Sequence, residues 1–158
     1  MNFNGDEIIP SRLWVGAFIQ PQDVRLLARN SITTVLSLQS GEDLASCGIQ
    51  LEKLRNAYRD AGIELRRSPV RDFDRDSLAA CLPSCVAELE KALQPRQTRV
   101  YHHCTAGINR SPTVAAAYLI RSQDMSAREA YEFIIARRDC SPSLEILEKY
   151  RDSLRIQS

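Results

Sequence analysis

The stretch Val100-Tyr-His-His-Cys-Thr-Ala-Gly-Ile-Asn-Arg-Ser-Pro112 constrains this chain more than any other. Arg99 to His103 reads as a buried strand, and a tight loop follows from Cys104. Pro112 suits the first turn of a helix that the spacing carries to Gln123. A strand running through a tight loop straight into a helix is where parallel α/β sheets hold their ligands, at the carboxyl ends of the strands.

The rest of the chain fits that junction. Leu13 to Gly16 and Ile32 to Leu38 read as strands, as does Ile63 to Val70, with Pro69 near its end. Helical spacing covers Gln22 to Arg29, and Leu51 to Ala61 before Gly62. It also covers Ser77 to Leu93, where Pro83 marks a kink or a boundary. Ser126-Ala-Arg-Glu129 is a capping box that starts another helix, and Ser141-Pro142 opens the last, to about Leu154. Strands alternating with helices predict an α/β domain with a central, mainly parallel sheet of about four to five strands flanked by helices. The whole chain, 1–158, is read as a single domain, with no repeat or linker.

Composition narrows the function. Net charge is 21 − 20 = +1, which leaves no electrostatic footprint for nucleic acid or an anionic membrane. The longest apolar run, Thr113 to Ile120, is far too short to cross a bilayer. MNFNGDEIIP carries no basic or apolar leader, so no secretory signal is expected. Five cysteines, an odd number without framework spacing, read as reduced thiols and point to the cytoplasm.

The loop explains one of those thiols. Free N–H groups of a tight turn, together with the N-terminal end of the next helix, make a nest for a dianion such as phosphate. Thr105, Ala106, Gly107, Ile108 and Asn109 supply that backbone, and Gly107 permits a turn that other residues resist. Cys104 stands at its mouth, where the local field favours the thiolate, the form that acts as a nucleophile. Arg110 can grip two oxygens of the dianion at once. Ser111 can donate a hydrogen bond to the sulfur as it leaves, and His103 orients the loop. A leaving oxygen needs an acid, and Arg71-Asp72-Phe73-Asp74-Arg75-Asp76 offers three carboxylates just after a strand. Asp72, directly after the strand, is favoured as that acid, with Asp74 next.

His103-Cys104-x5-Arg110-Ser111 resembles the signature of the dual-specificity branch of the protein tyrosine phosphatase superfamily. The resemblance implies two-step hydrolysis of phosphate monoesters through a phosphocysteine, with no metal or cofactor, and an acid on a loop about thirty residues before the cysteine. Arg71-Asp-Phe-Asp74, His103-Cys-Thr-Ala-Gly107 and Ala136-Arg-Arg-Asp-Cys140 are similar to the plant starch-excess glucan phosphatases, relatives of laforin, as are Leu13-x-Val-Gly16 and Val35-Leu-Ser-Leu-Gln39. That likeness makes Phe73 a candidate platform for a glucan. Asn109 stands where those enzymes usually carry glycine, and Ser46-Cys47 where they carry aromatic residues. The expected substrates are therefore phosphoproteins, on Tyr and Ser/Thr, with a phosphoglucan as the alternative and a phospho-binding pseudophosphatase as the reading from another class. The expected partners are the phosphorylated substrate alone, with no nucleic acid and no membrane, and the protein is expected to be a monomer.

The neighbouring residues receive plainer readings. His102 and His103 point to opposite faces of a strand and cannot ligate one ion together with Cys104. Arg137 and Arg138 read as a solvated helix end, with a place at the border of the pocket as the alternative. Cys47, Cys81, Cys85 and Cys140 read as packed thiols, any of which could protect Cys104 by a disulfide on oxidation.

Overall fold

The computed structural model describes residues 3–157. Five strands, β1 (Gly5–Ile9), β2 (Leu13–Gly16), β3 (Thr34–Ser37), β4 (Glu64–Arg67) and β5 (Val100–His103), form one sheet in the order β1-β2-β5-β3-β4. β5 runs parallel to both neighbours, as β4 does to β3, and only the edge strand β1 is antiparallel. The expected mainly parallel α/β sheet is therefore found, with β1 as an added strand. Its sequence, GDEII, has no clean alternation, and a bulge interrupts its register between Glu7 and Ile9.

The strands alternate between two cores, as period-2 geometry requires. Leu13, Val15, Leu36 and Val100 face one side, while Trp14, Val35 and Tyr101 face the other. The first side is covered by α4 (Arg75–Leu93), α5 (Arg110–Gln123), α6 (Ala127–Ile135) and α7 (Leu144–Gln157). The second is covered by α1 (Val24–Arg29), α2 (Gly41–Ser46) and α3 (Leu51–Asp60). Covering both faces buries the inner strands β3 and β5 throughout, their polar residues Thr34, Ser37, His102 and His103 included. Removing a side chain such as the fully buried Leu36 would cost about 2–5 kcal/mol.

Several boundaries differ from expectation, the strands β3 and β4 being shorter than the stretches read as strands. α4 begins at Arg75 because Asp74 caps it, accepting from the Ser77 N–H at 2.9 Å, and the helix continues through Pro83. α5 begins at Arg110, so Pro112 sits inside the first turn, where its missing N–H costs nothing. α7 begins at Leu144.

The register brings three strand ends together. Gly16 and Ser37 both pair with His103, so β2, β5 and β3 end at one level. The chain leaving each strand meets the others there: the Phe18 N–H donates to the Thr105 carbonyl and the Leu38 N–H to the His103 carbonyl, both at 2.9 Å.

Candidate active site

Cys104 lies at the base of the loop between β5 and α5, 2% exposed. Its Sγ is 3.2 Å from the Ser111 hydroxyl, close enough for Ser111 to donate to a thiolate. His103 is buried, and its Nδ1 is 2.8 Å from the Cys104 carbonyl. A carbonyl only accepts, so Nδ1 carries the proton. Burial, with the Arg110 charge adding to it, pushes His103 down to about 4, against the opposing pull of that hydrogen bond. His103 is thus a neutral donor that fixes the loop at its root. His102, on the opposite face, donates likewise to the Leu36 carbonyl at 3.1 Å, and burial pushes it down to about 3.

Gly107 has φ +69°, in the left-handed region. A Cβ there would collide with the Gly16 carbonyl carbon. Glycine is required at this position both by its backbone angle and by the close approach of β2.

Arg110 is the first residue of α5 and only 3% exposed. Its Nη1 donates to Asp43 Oδ2 at 2.7 Å and to the Val70 carbonyl at 2.8 Å. Its Nη2 reaches Thr105 Oγ1 at 3.3 Å and Asp72 Oδ2 at 3.2 Å. Nη2 also reaches Asp43 Oδ1 at 3.5 Å. A buried guanidinium needs such compensation. Asp43 is held in turn: the Ser40 N–H and hydroxyl both donate to Oδ2, at 2.7 and 3.0 Å, and the Asp43 N–H donates to Ser40 Oγ at 3.2 Å, completing the capping box of α2. Burial works to raise the Asp43 carboxyl, but Arg110 and Ser40 outweigh it and hold it below the usual carboxylate range.

The three carboxylates of segment 71–76 have different employment. Asp72 faces the loop through Arg110, and its Oδ1 accepts the Phe73 N–H at 3.0 Å. Asp74 is committed to capping α4. Asp76 lies in the first turn of that helix. Phe73 is fully exposed, with φ +56°. A cavity of about 420 Å³ opens beside it, lined by Ser46, Cys47, Asp72, Phe73, Thr105 and Ala106 among others.

Asp43 and Arg138 were not singled out from sequence as site residues. The box Ser40-x-x-Asp43 could have revealed the first. Arg138, read as part of a solvated helix end, is instead 5% exposed and donates to the Gly107 carbonyl at 2.7 Å and the Ala106 carbonyl at 3.2 Å. Its neighbour Arg137 lies over the Phe133 ring, 3.4 Å from the centroid. The strap after α6 grips the loop twice more: the Ser141 N–H donates to the Ile108 carbonyl at 2.7 Å, and the Asn109 amide to the Ser141 carbonyl at 3.0 Å. Asn109 therefore spends its side chain on the strap.

Chemically, the arrangement offers a buried sulfur nucleophile, a guanidinium for an anion, a hydroxyl on the sulfur and a carboxylate at the rim. Among the described residues, no three of His, Cys, Asp and Glu gather as metal ligands, and no helix is long and apolar enough to cross a membrane.

Residues 13–152 match the family model described as dual specificity phosphatase, catalytic domain. The chain is 34% identical over 152 residues to phosphoglucan phosphatase DSP4, amyloplastic, of Castanea sativa, covering 94% of this chain and 39% of that protein. It is 27% identical over 156 residues to dual specificity protein phosphatase Mpk3 of Drosophila melanogaster, covering 96% and 35%. It thus spans well under half the length of either curated relative. The crystal structure of PTPMT1 superposes with a TM-score of 0.75 at 25% identity, covering 97% of both chains.

Proposed function

Because the chain belongs to the dual specificity phosphatase catalytic domain family, we propose that it hydrolyses phosphate monoesters through a phosphocysteine on Cys104. The observation that carries this reading is Arg110, whose guanidinium meets the Asp72 carboxylate at 3.2 Å from the same loop that holds Cys104 against Ser111. A phosphate dianion entering the loop would find the N–H groups of 105–110 and Nη2 of Arg110. By taking Nη2 it would displace Asp72 toward the leaving oxygen.

In the first step the Cys104 thiolate attacks phosphorus, the P–O bond to the leaving group breaks, and Asp72 gives that oxygen its proton. In the second, Asp72 takes a proton from water, the water oxygen bonds to phosphorus and the S–P bond breaks. Ser111 stabilises the departing thiolate. The loop and Arg110 carry the charge of the transferring phosphoryl group throughout, the largest task in such a reaction. Phe73 borders the substrate, and His103 holds the loop.

The chain acts in this reading as a single catalytic domain on phosphoproteins. Five unpaired cysteines suit a reducing compartment, and the reading extends to the cytoplasm. A phosphoglucan is the second reading, favoured by the exposed Phe73 beside the cavity and by the resemblance to a relative that carries that name. Phosphate release from phosphopeptides and from phosphorylated amylopectin separates the two. Release from peptides alone removes the glucan, and release from amylopectin alone removes the protein substrate. No turnover of an activated aryl phosphate by the native chain would leave only phospho-binding.

A further inference from the structure

The side chain of Arg138 is 4% exposed, yet two of its partners come from a part of the chain more than a hundred residues away. Its Nη1 meets Asp6 Oδ2 at 2.8 Å, and its Nη2 donates to Asn4 Oδ1 at 3.1 Å. Asp6 lies on β1, and Asn4 just before it. The same segment is tied to the sheet beneath the loop. The Ala17 N–H donates to the Asn4 carbonyl at 2.8 Å, and the Tyr101 hydroxyl donates to the Ala17 carbonyl at 2.5 Å and lies 3.2 Å from that of Asn4. Gly16 must be glycine for this to pack, since a Cβ there would collide with the Asn4 carbonyl oxygen.

The other edge of Arg138 holds the carbonyls of Ala106 and Gly107. A trans peptide is planar, with C=O and N–H on opposite sides. Drawing the Ala106 oxygen toward Arg138 therefore turns the Gly107 N–H away from it, and the Gly107 oxygen does the same to the Ile108 N–H. Arg138 sets the direction of two successive donors in the loop. Its own placement depends on a counter-charge, because a buried guanidinium without one is drawn to whatever acceptor or water it can reach.

We propose that Asp6 is a positioning residue for the loop at 104–109, acting through Arg138, so that β1 belongs to the anion-binding machinery and does more than close the sheet. Asn4 assists by occupying the remaining Nη2 donor. This rests on reading that loop as the phosphate site.

The test compares the native chain with Asp6→Ala, Asp6→Asn and Asp6→Glu. Two quantities are read: turnover of an aryl phosphate, and the pH profile of Cys104 alkylation by iodoacetamide. Loop N–H groups that no longer converge stabilise the thiolate less, so in Asp6→Ala the profile moves to higher pH. Turnover falls about ten- to a hundredfold, mainly in kcat. Asp6→Asn, which keeps the shape and an acceptor but not the charge, falls between, and Asp6→Glu restores part of both. Should Asp6→Ala fail to fold, Asp6→Asn carries the comparison. An unmoved alkylation profile overturns the proposal, whether turnover is kept or lost, because a merely structural role would leave the thiolate alone. Failure of the native chain to turn over any aryl phosphate would sink the phosphatase reading instead, and the alkylation profiles would still decide the role of Asp6.

Discussion

Asp43 and Arg110 form a buried ion pair, 2.7 Å apart, at the centre of the site. The pair does two jobs. Asp43 completes the cap of α2, and it holds one edge of the guanidinium so that the other faces the loop. Asp43→Ala removes one partner and leaves a buried charge, a change worth about 3–5 kcal/mol in comparable pairs. The expected outcome is a large loss of turnover with a lowered unfolding midpoint. Asp43→Asn keeps an acceptor and retains more of the stability than of the turnover. Native-like turnover in Asp43→Asn would mean that the charge itself has no part in holding Arg110.

Asp72 and Asp74 are separated by employment. On the proposed mechanism Asp72→Asn slows hydrolysis about 10²–10⁴-fold for esters with poor leaving groups and much less for activated ones. Asp74→Ala instead removes a helix cap and costs about 1 kcal/mol of stability with turnover nearly kept. The leaving-group dependence of kcat in the two variants reads this directly. A dependence that appears in the Asp74 variant alone would reassign the acid.

Gly107→Ala tests the backbone requirement. Left-handed φ costs an alanine about 1–2 kcal/mol, and the added Cβ must displace the Gly16 carbonyl. Turnover should be lost along with some stability. Gly48, also at positive φ but with open space around its Cβ position, should tolerate alanine with the strain alone.

How much of this was legible in the sequence depended on distance along the chain. The loop from Cys104 to Ser111 is contiguous, and its glycine, arginine and flanking strand identify one another. Asp43 joins Arg110 across 67 residues and Arg138 joins Gly107 across 31, both through tertiary contacts, and nothing local marks an arginine after a helix as buried. The inner strands announce themselves as apolar runs, such as Thr34–Ser37 with its neighbours. Edge strand β1 does not, because its exposed face is polar and a bulge breaks its period. α2 has only six residues, too few for periodicity, although its capping box was written at Ser40 and Asp43. Asp72 and Asp74 stayed alternatives because composition cannot tell a cap from an acid.

Two buried histidines make stability depend on pH. His102 and His103 are held down to about 3 and about 4 from an ordinary 6.5 by burial. Above 6.5 both are neutral in the folded and unfolded chain, and their contribution is fully present. As pH falls below 6.5 the unfolded chain takes up protons that the folded chain refuses, so stability is lost progressively, down to about 4 for His103 and about 3 for His102. Each pH unit across that window costs about 1.4 kcal/mol for one such histidine, so His103 alone accounts for about 3 kcal/mol of the loss. The unfolding midpoint should therefore drop between pH 6.5 and 4, and His102→Gln should shallow the slope even if it lowers the plateau. A flat profile in the native chain would contradict this account.

On the proposed readings, Phe73 is where a glucan and a phosphopeptide would be held differently. A fully exposed phenylalanine with φ +56° is costly twice over, once in solvation and once in backbone strain. Strain held at a site's edge points to a use for the side chain. Phe73→Gly relieves the backbone and should leave the unfolding midpoint unchanged or raise it. Its effect on turnover depends on what the ring touches. A glucan lies flat on an aromatic face, so loss of the ring should sharply reduce phosphate release from amylopectin while release from a small aryl phosphate is kept. A phosphopeptide meets the ring only at the rim, so its KM should rise a few-fold with kcat unchanged. Paired measurements on phosphopeptide, amylopectin and aryl phosphate distinguish these patterns. Unchanged kinetics on all three would leave the ring without a role in either reading.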